Sequence, residues 1–156
     1  LRTVNISQAY STLNSIGNYA FYNATALISI DIPNSVTSIG DSAFSGAGVR
    51  VVNISQTNYS LNIIGASAFD STNLSSLYIP VSVTEIGDNA FRDCTRLTSI
   101  TTPDSVTIGD HAFDDISALP TVYVMDVSRT ITFVEFQSIF NDSTNISNIT
   151  YYDTTH

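Results

Sequence analysis

Hydrophobic and polar residues recur along this chain at a nearly constant interval. An Ile-Gly pair is followed, four residues after the Ile, by an Ala-Phe pair, and the arrangement occurs five times with successive spacings of 23, 25, 22 and 22 residues. The Phe residues of these units are Phe21, Phe44, Phe69, Phe91 and Phe113. A period of about 20–29 residues is typical of a solenoid, in which each repeat forms one coil and stacks on its neighbours.

A short strand is predicted after each Phe, in a segment of the form L-x-x-I-x-I. The five predicted strands begin at Leu27, Val49, Leu74, Leu97 and Leu119, and a sixth begins at Leu1, before the first Ile-Gly pair. In one of them, Ile30 and Ile32 alternate with Ser29 and Asp31, which directs the apolar pair into the coil and the polar pair outward. The strands of successive coils are therefore expected to form a parallel sheet on one face of the solenoid.

The Ile-Gly corner is expected to begin the opposite side of each coil, because Gly permits a tight turn of the backbone. The residues that follow the corner Gly include Asn18, Asp41, Asp88 and Asp110, which are good N-caps for a single helical turn carrying Ala-Phe. Each Phe is expected to stack on the Phe of the next coil, since one coil cannot bury the ring alone. The pattern predicts a right-handed solenoid with short turns or single helical turns opposite the sheet.

The repeat unit I-G-x-x-A-F-x-x-C-x-x-L-x-x-I-x-I-P-x-S-V-T resembles the BspA-like leucine-rich repeats. Residues 86–103 follow this unit almost position by position, including Cys94, and the resemblance covers roughly residues 1–124. It implies a leucine-rich-repeat solenoid. It also implies a cell-surface protein that adheres to other proteins or cells and is not an enzyme. Cys94 is expected to be a buried core thiol, because its column otherwise holds Ala, Thr or Ile.

One domain is predicted, with six coils over residues 1–124 and a C-terminal cap over residues 125–156. Residues 132–135 have the pattern of a capping box that begins a short helix. Residues 149–152 have the pattern of a closing strand. The chain begins directly in a strand at Leu1, so the N-terminal edge of the sheet is predicted to be open.

Composition and charge narrow the range of partners. The chain is 43% hydrophobic and 12% charged, has a net charge of −9 and contains no Lys. A surface of this kind is a poor partner for nucleic acid or anionic lipid, both of which favour basic stripes. No apolar run approaches the length of about 18 residues that a membrane-spanning helix needs. The single Cys excludes an intramolecular disulfide.

No catalytic or cofactor motif is recognisable, so the chain is predicted to be neither an enzyme nor a cofactor-binding protein. It has no Ser-His-Asp arrangement, phosphate-binding loop, zinc-ligand spacing or Gly-rich dinucleotide turn. Of its two His residues, His111 is expected to be exposed and His156 is terminal. Asp88 and Asp110 fall at the same place in successive coils and could hold Ca²⁺. They are instead expected to cap turns, with no metal site.

N-glycosylation acceptors of the form N-x-S/T are unusually frequent. Eight of the 13 Asn residues lie in one, whereas chance predicts about 3 or 4. They are Asn5, Asn23, Asn53, Asn58, Asn73, Asn141, Asn145 and Asn148. N-linked glycans and an extracellular location are therefore expected. The alternative is a protein in which these polar residues merely suit turns and strand rims.

The outward positions of the predicted strands form a flat face with two columns of side chains. One column is Thr3, Ser29, Val51, Ser76, Ser99 and Thr121, and the next is Asn5, Asp31, Asn53, Tyr78, Thr101 and Tyr123. Tyr78 and Tyr123 are candidate contacts with a partner, since Tyr is enriched at interfaces, although strand propensity alone would also explain them.

Three functions remain open. The chain could be an adhesion or recognition module that contacts other proteins. It could equally be a self-assembling subunit that stacks head to tail in an extracellular fibre or coat. A calcium-dependent adhesin is a third, less favoured hypothesis.

Overall fold

The fold was analysed in a computed structural model, which describes residues 2–5, 12–55, 60–116, 121–126 and 148–153. These residues form a parallel β-solenoid, as predicted. The longer strands lie on one side, the strand face: β1 (Thr3–Asn5), β3 (Ser29–Ile32), β5 (Val51–Ile54), β7 (Ser76–Tyr78), β9 (Ser99–Pro103), β11 (Thr121–Asp126) and β12 (Asn148–Asp153). The shorter strands lie on a second side: β2 (Ser15–Ile16), β4 (Ser38–Ile39), β6 (Ile63–Ile64), β8 (Glu85–Ile86) and β10 (Thr107–Ile108).

The strands of the strand face pair in parallel, in the orders β1-β3-β5 and β7-β9-β11-β12. Most begin two residues after the predicted starting residue. The reason is visible at Leu27 and Leu97, which turn into the core at the corner of the coil. Their amides donate within their own coil, to the carbonyl oxygens of Ala24 and Cys94 (both 2.9 Å), and so cannot join the ladder.

The two-residue strands of the second side form a continuous parallel sheet of five strands that the sequence pattern did not predict. Each strand ends at the Ile of an Ile-Gly pair, whose side chain points into the core. The following Gly amide extends the ladder, as where Gly40 N donates to Ile16 O (2.8 Å). Two residues are too few to show the alternation by which a strand is recognised in a sequence.

Of the two predicted alternatives for this side of the coil, short turns are confirmed and single helical turns are wrong, because the Ala-Phe segments form non-helical turns. Two positions in each coil have a left-handed backbone, as at Tyr19 (φ 58°) and Asn23 (φ 54°) in the first coil. Along each turn, one backbone amide donates within its own coil and the next donates to the following coil. Tyr22 N, for example, donates to Tyr19 O (3.1 Å), whereas Phe21 N donates to Ala43 O (2.7 Å). With every second amide committed to a neighbouring coil, the i→i−4 bonds of a helix cannot form.

The core is organised around a column of stacked Phe rings, as predicted. Neighbouring rings lie 4.9–5.4 Å apart between centroids and within 8° of parallel. The three central rings, Phe44, Phe69 and Phe91, are fully buried. Aliphatic side chains from the strands of both sides surround them, among them Ile30, Ile39, Ile64, Leu77, Ile86 and Ile100.

The predicted closing strand at residues 149–152 lies within β12. This strand pairs in parallel with β11, so that Val122 lies opposite Ile149 and Tyr123 opposite Thr150. The predicted helix near residues 132–135 falls outside the described part of the chain. Within that part, there is no helix that could cross a lipid bilayer.

Candidate interaction surface

The strand face presents both predicted columns of outward side chains. The strand register aligns Thr3, Ser29 and Val51 on β1, β3 and β5. It aligns Ser76, Ser99 and Thr121 on β7, β9 and β11. Residues between the columns point into the core, where Ile30 and Ile100 are fully buried. The result is a flat surface with a spacing between strands of about 4.8 Å.

The half of this face formed by β1, β3 and β5 is polar and carries charge. Asn53 is exposed, and its amide nitrogen Nδ2 donates to Asp31 Oδ1 (2.6 Å). Arg2 and Arg50 lie exposed beside the same strands, each just before its strand begins. A partner that covered this half would have to desolvate the Asp31 carboxylate, which is costly without a matching charge.

The half formed by β7, β9 and β11 carries no charge in its two outward columns. We call its six outward residues the hydroxyl patch: Ser76, Tyr78, Ser99, Thr101, Thr121 and Tyr123. All six are at least partly exposed, and each ends in a hydroxyl group. Both predicted contact residues lie here, with Thr101 between them, so Tyr78 and Tyr123 are about 10 Å apart along the sheet.

The glycosylation acceptors fall at several places around the solenoid. Asn23 is exposed in a left-handed turn, Asn53 is exposed on the strand face, and Asn73 is half-buried after the third Phe turn. Asn5 lies in β1, and Asn148 begins β12. The acceptors Asn58, Asn141 and Asn145 lie outside the described residues.

The Asx residues after the corner Gly form a ladder between coils and do not cap helical turns. The Oδ1 atoms of Asn18, Asp41 and Asp88 accept hydrogen bonds from the amides of Asp41, Ala66 and Asp110, the corresponding residues of the next coil, at 2.9–3.0 Å. The Asp88 oxygen considered as a calcium ligand is therefore bonded to the protein backbone. Among the residues that the structure describes, no group of three or more His, Cys, Asp or Glu residues could hold a metal ion.

His111 and Cys94 lie where the sequence predicts them. His111 is exposed, and its Nδ1 lies 2.6 Å from Asp114 Oδ2. Cys94 is fully buried, with its Sγ 3.2 Å from both Thr72 Oγ1 and Phe69 O. Burial raises the pKa of the Cys94 thiol from 9.0 to about 11, against the opposing effect of the Thr72 hydrogen bond.

This pKa predicts a loss of stability at alkaline pH. The folded chain holds the thiol proton more tightly than the unfolded chain. The protonated thiol therefore contributes its full stabilisation below pH 9, and this stabilisation is lost as the pH rises towards the folded-state pKa of about 11. The loss amounts to about 2–3 kcal/mol. It can be measured as the decrease in the free energy of urea unfolding between pH 8 and pH 11. Cys94→Ala should lack this component, and an identical decrease in that variant would contradict the assignment.

A further surface, which the sequence did not indicate, lies at the N-terminal end of the Phe column. Within the described part of the chain, Phe21 stacks on one ring, that of Phe44, and it also lines an apolar groove of about 250 Å³. The groove is lined by Val4, Phe21, Ala24, Thr25, Ala26 and Leu27. Tyr19 and Tyr22 lie nearby, 62% and 52% exposed, with their rings in edge-to-face contact. We call this surface the end face. An open strand edge was predicted at Leu1, but not these side chains.

Comparison with known protein families explains the architecture. A model of the BspA type leucine-rich repeat region matches residues 14–147 as six copies. The chain belongs to the BspA-type leucine-rich-repeat family. The family match continues beyond residue 124, where the six coils were predicted to end. Leucine-rich-repeat proteins typically mediate protein–protein interactions and are generally not catalysts.

Solved structures of other leucine-rich-repeat proteins are similar to this BspA-type chain. A leucine-rich repeat protein from Eubacterium ventriosum is 26% identical, with a TM-score of 0.69 over 80% of this chain and 32% of that protein. A leucine rich cell surface protein from Faecalibacterium prausnitzii is 24% identical, with a TM-score of 0.37 over 80% of this chain and 48% of that protein. The chain thus spans about a third to a half of the length of these two proteins. No curated protein sequence matches it.

Proposed function

We propose that this chain is a non-catalytic, N-glycosylated extracellular protein that recognises other proteins through the hydroxyl patch. The observation that carries the proposal is the contrast between the two halves of the strand face. The half with Asp31 carries charge and has the acceptor sites Asn5 and Asn53 on β1 and β5, whereas β7, β9 and β11 have neither, and the acceptor Asn148 lies beside the patch on β12, opposite Thr121.

The composition of the patch suits a protein partner. The centres of protein interfaces are depleted in charged residues and enriched in Tyr. Tyr78 and Tyr123 supply aromatic area on rigid strands, and the hydroxyls of Ser99 and Thr101 lie between them as hydrogen-bonding groups. Because the strands are fixed by their neighbours, little conformational entropy is lost when a partner binds.

Substitution of the two patch tyrosines tests this proposal. In Tyr78→Ser/Tyr123→Ser, affinity for a bound partner should fall at least about tenfold, which corresponds to about 1.4 kcal/mol. Binding of immobilised chain to a panel of purified extracellular proteins, measured by biolayer interferometry, would identify the partner and then compare the variants. Tyr22→Ser, which removes an exposed Tyr away from the patch, is the matched control and should bind like the wild type. Equal affinity of all three proteins would refute the role of the patch.

Glycosylation provides an independent test. Secretion from a eukaryotic host should place a glycan on exposed Asn53, detected by peptide mapping after enzymatic deglycosylation converts the carrying Asn to Asp. Asn53→Gln should remove this glycan and leave partner binding intact. Ser99→Asn creates a new acceptor with Ile100 and Thr101 at the centre of the patch, and its glycan should abolish binding. An unmodified Asn53 would argue against the glycoprotein proposal.

Self-assembly is a second candidate function, and the arrangement of the strands favours it. In the part of the chain that the structure describes, β1 and β12 are the outermost strands of the strand face and run in the same direction. A strand without a partner on its outer side exposes backbone N–H and C=O groups that can pair with a strand of another chain. Head-to-tail contact of this kind produces a fibre or coat, because it does not close on itself.

A further inference from the structure

We infer that the hydroxyl patch binds a neutral oligosaccharide, so that the group it recognises on an extracellular protein is an uncharged glycan carried by that protein. This inference rests on the first proposed function, recognition through the patch, and it names the chemical class of the ligand. Three features of the patch support it: hydroxyl groups that the fold does not use, the absence of charge and two aromatic rings on a rigid sheet.

The first feature is a set of four hydroxyl groups that the fold leaves uncommitted. Each lies at an outward position of β7, β9 or β11 and is at least partly exposed. Within the described part of the chain, none of these four side chains forms a hydrogen bond: Ser76, Ser99, Thr101 and Thr121. The strand register places them about 4.8 Å apart across the sheet and about 6.6 Å apart along a strand, so one ligand can contact all four.

Hydroxyl groups close to the patch and on the other half of the strand face are used differently. The Thr98 Oγ1 donates to Ser75 O (2.9 Å), and on the charged half the Ser29 Oγ donates to the Thr3 Oγ1 (3.3 Å). These hydroxyls connect one coil to the next. The four patch hydroxyls do not, so their hydrogen-bonding capacity is available to a ligand.

The ligand that matches these groups is one that is covered with hydroxyls of its own. A Ser or Thr hydroxyl donates one hydrogen bond and accepts others, and so does each hydroxyl of a sugar. The two sets can therefore pair without a fixed order of donors and acceptors. A sugar ring presents several such groups close together, whereas a polypeptide presents few.

Charge decides between neutral and acidic sugars. The two outward columns of the patch contain no Arg or Lys that could pair with a carboxylate or sulfate group. The chain as a whole has a net charge of −9, which repels an anionic ligand. A neutral oligosaccharide meets neither obstacle.

The tyrosines supply the apolar part of the contact. Tyr78 and Tyr123 flank Thr101 in one column, about 10 Å apart. A Tyr ring has an apolar face and a polar tip, and a sugar ring likewise has an apolar C–H face and hydroxyls at its edge. A sugar residue can therefore pack on either ring while its hydroxyls bond to Thr101. Both β9 and β11 are paired with a strand on each side, so the patch loses little conformational entropy on binding.

The same composition suits a bare polypeptide surface less well. Ser and Thr are under-represented among the residues that contribute most to binding between proteins, and Ser is depleted at the centres of their interfaces. Four of the six patch residues are Ser or Thr. A contact with polypeptide alone would draw mainly on the two tyrosines, whereas a glycan uses all six residues.

Binding of the unglycosylated chain to an array of defined oligosaccharides tests the inference. The array carries neutral glucans, mannans, galactans and N-acetylglucosamine chains, together with sialylated and sulfated forms. At least one neutral oligosaccharide should bind, and its anionic form should bind at least tenfold more weakly, because the patch offers no cation to it. Absence of binding to every neutral oligosaccharide at about 100 µM protein would overturn the inference.

A pair of matched variants locates the site. Ser99→Ala/Thr101→Val removes two uncommitted hydroxyls and should lower the affinity for the bound oligosaccharide at least tenfold, while Val maintains the strand. Ser38→Ala/Thr107→Val makes the same changes at outward positions of the second side and should bind like the wild type. Equal affinity of the two variants would overturn the assignment of the sugar to the patch.

Deglycosylation of a bound glycoprotein separates this inference from the proposed function. Enzymatic removal of its glycans should lower its affinity for the chain at least tenfold. A partner that binds equally well after deglycosylation but not to Tyr78→Ser/Tyr123→Ser would overturn the sugar ligand and leave recognition through the patch in place. A partner that binds the wild type and all patch variants equally would overturn both.

Discussion

Replacement of Phe69 by Ala should lower the free energy of unfolding by about 4 kcal/mol. Phe69 is fully buried at the centre of the ring column, with centroids 4.9 Å from Phe44 and 5.4 Å from Phe91. Truncation removes the transfer free energy of the ring and leaves a cavity between two rigid coils. Backbone hydrogen bonds such as Phe69 N to Ala90 O (2.7 Å) fix the spacing of those coils, so the coils cannot move together to fill the cavity.

Urea unfolding monitored by circular dichroism measures this effect, and Phe21→Ala is the matched control. Phe21 occupies the same place in its coil but, among the described residues, stacks on one ring and is only partly buried. Its truncation should cost about half as much, about 2 kcal/mol. Equal losses in the two variants would mean that burial between coils does not determine the contribution of each ring.

The second large effect is expected from Gly87→Ala, which should destabilise the chain by about 3 kcal/mol. A Cβ at this position would lie 2.5 Å from Ala66 N, 2.8 Å from Ala66 Cα and 2.8 Å from Gly65 C. All three are backbone atoms of the preceding coil, so no side chain can rotate away. Relief requires separation of the coils, which would stretch the bond from Gly87 N to Ile64 O (2.8 Å).

Gly17→Ala makes the same chemical change at a glycine whose added Cβ would meet nothing within 4 Å in the described part of the chain. It should alter the unfolding free energy of the monomer by less than about 0.5 kcal/mol. Thermal unfolding of both variants, followed at low concentration and low salt, compares the two sites without self-association. If Gly17→Ala were as destabilising as Gly87→Ala, the recurrent glycine would reflect a requirement within each coil and not the close approach of the preceding coil.

The strand face of the candidate site was predictable because alternation within a strand is a local property. Once the repeat aligns the coils, positions such as Tyr78, Thr101 and Tyr123 must share a column, and the register confirms that they do. The end face was not predictable in the same way. The sequence shows a glycine at position 17 as it does in every later coil, and only the packing reveals that, among the described residues, nothing lies within 4 Å of a Cβ placed at Gly17.

The solenoid, the column of Phe rings and the two outward columns of the strand face follow from the repeat pattern alone. Each coil contacts only its neighbours, so a pattern repeated every 22–25 residues specifies the contacts. The conformation of the turns depends instead on the packing of the coils. Asn18 and Asp88 suit the N-cap of a helical turn by residue type, yet their Oδ1 atoms bond to the next coil, and left-handed residues such as Tyr19 direct alternate amides there as well. Hydrogen bonds to residues 22–25 positions away determine these conformations, and they exist only once the coils have stacked.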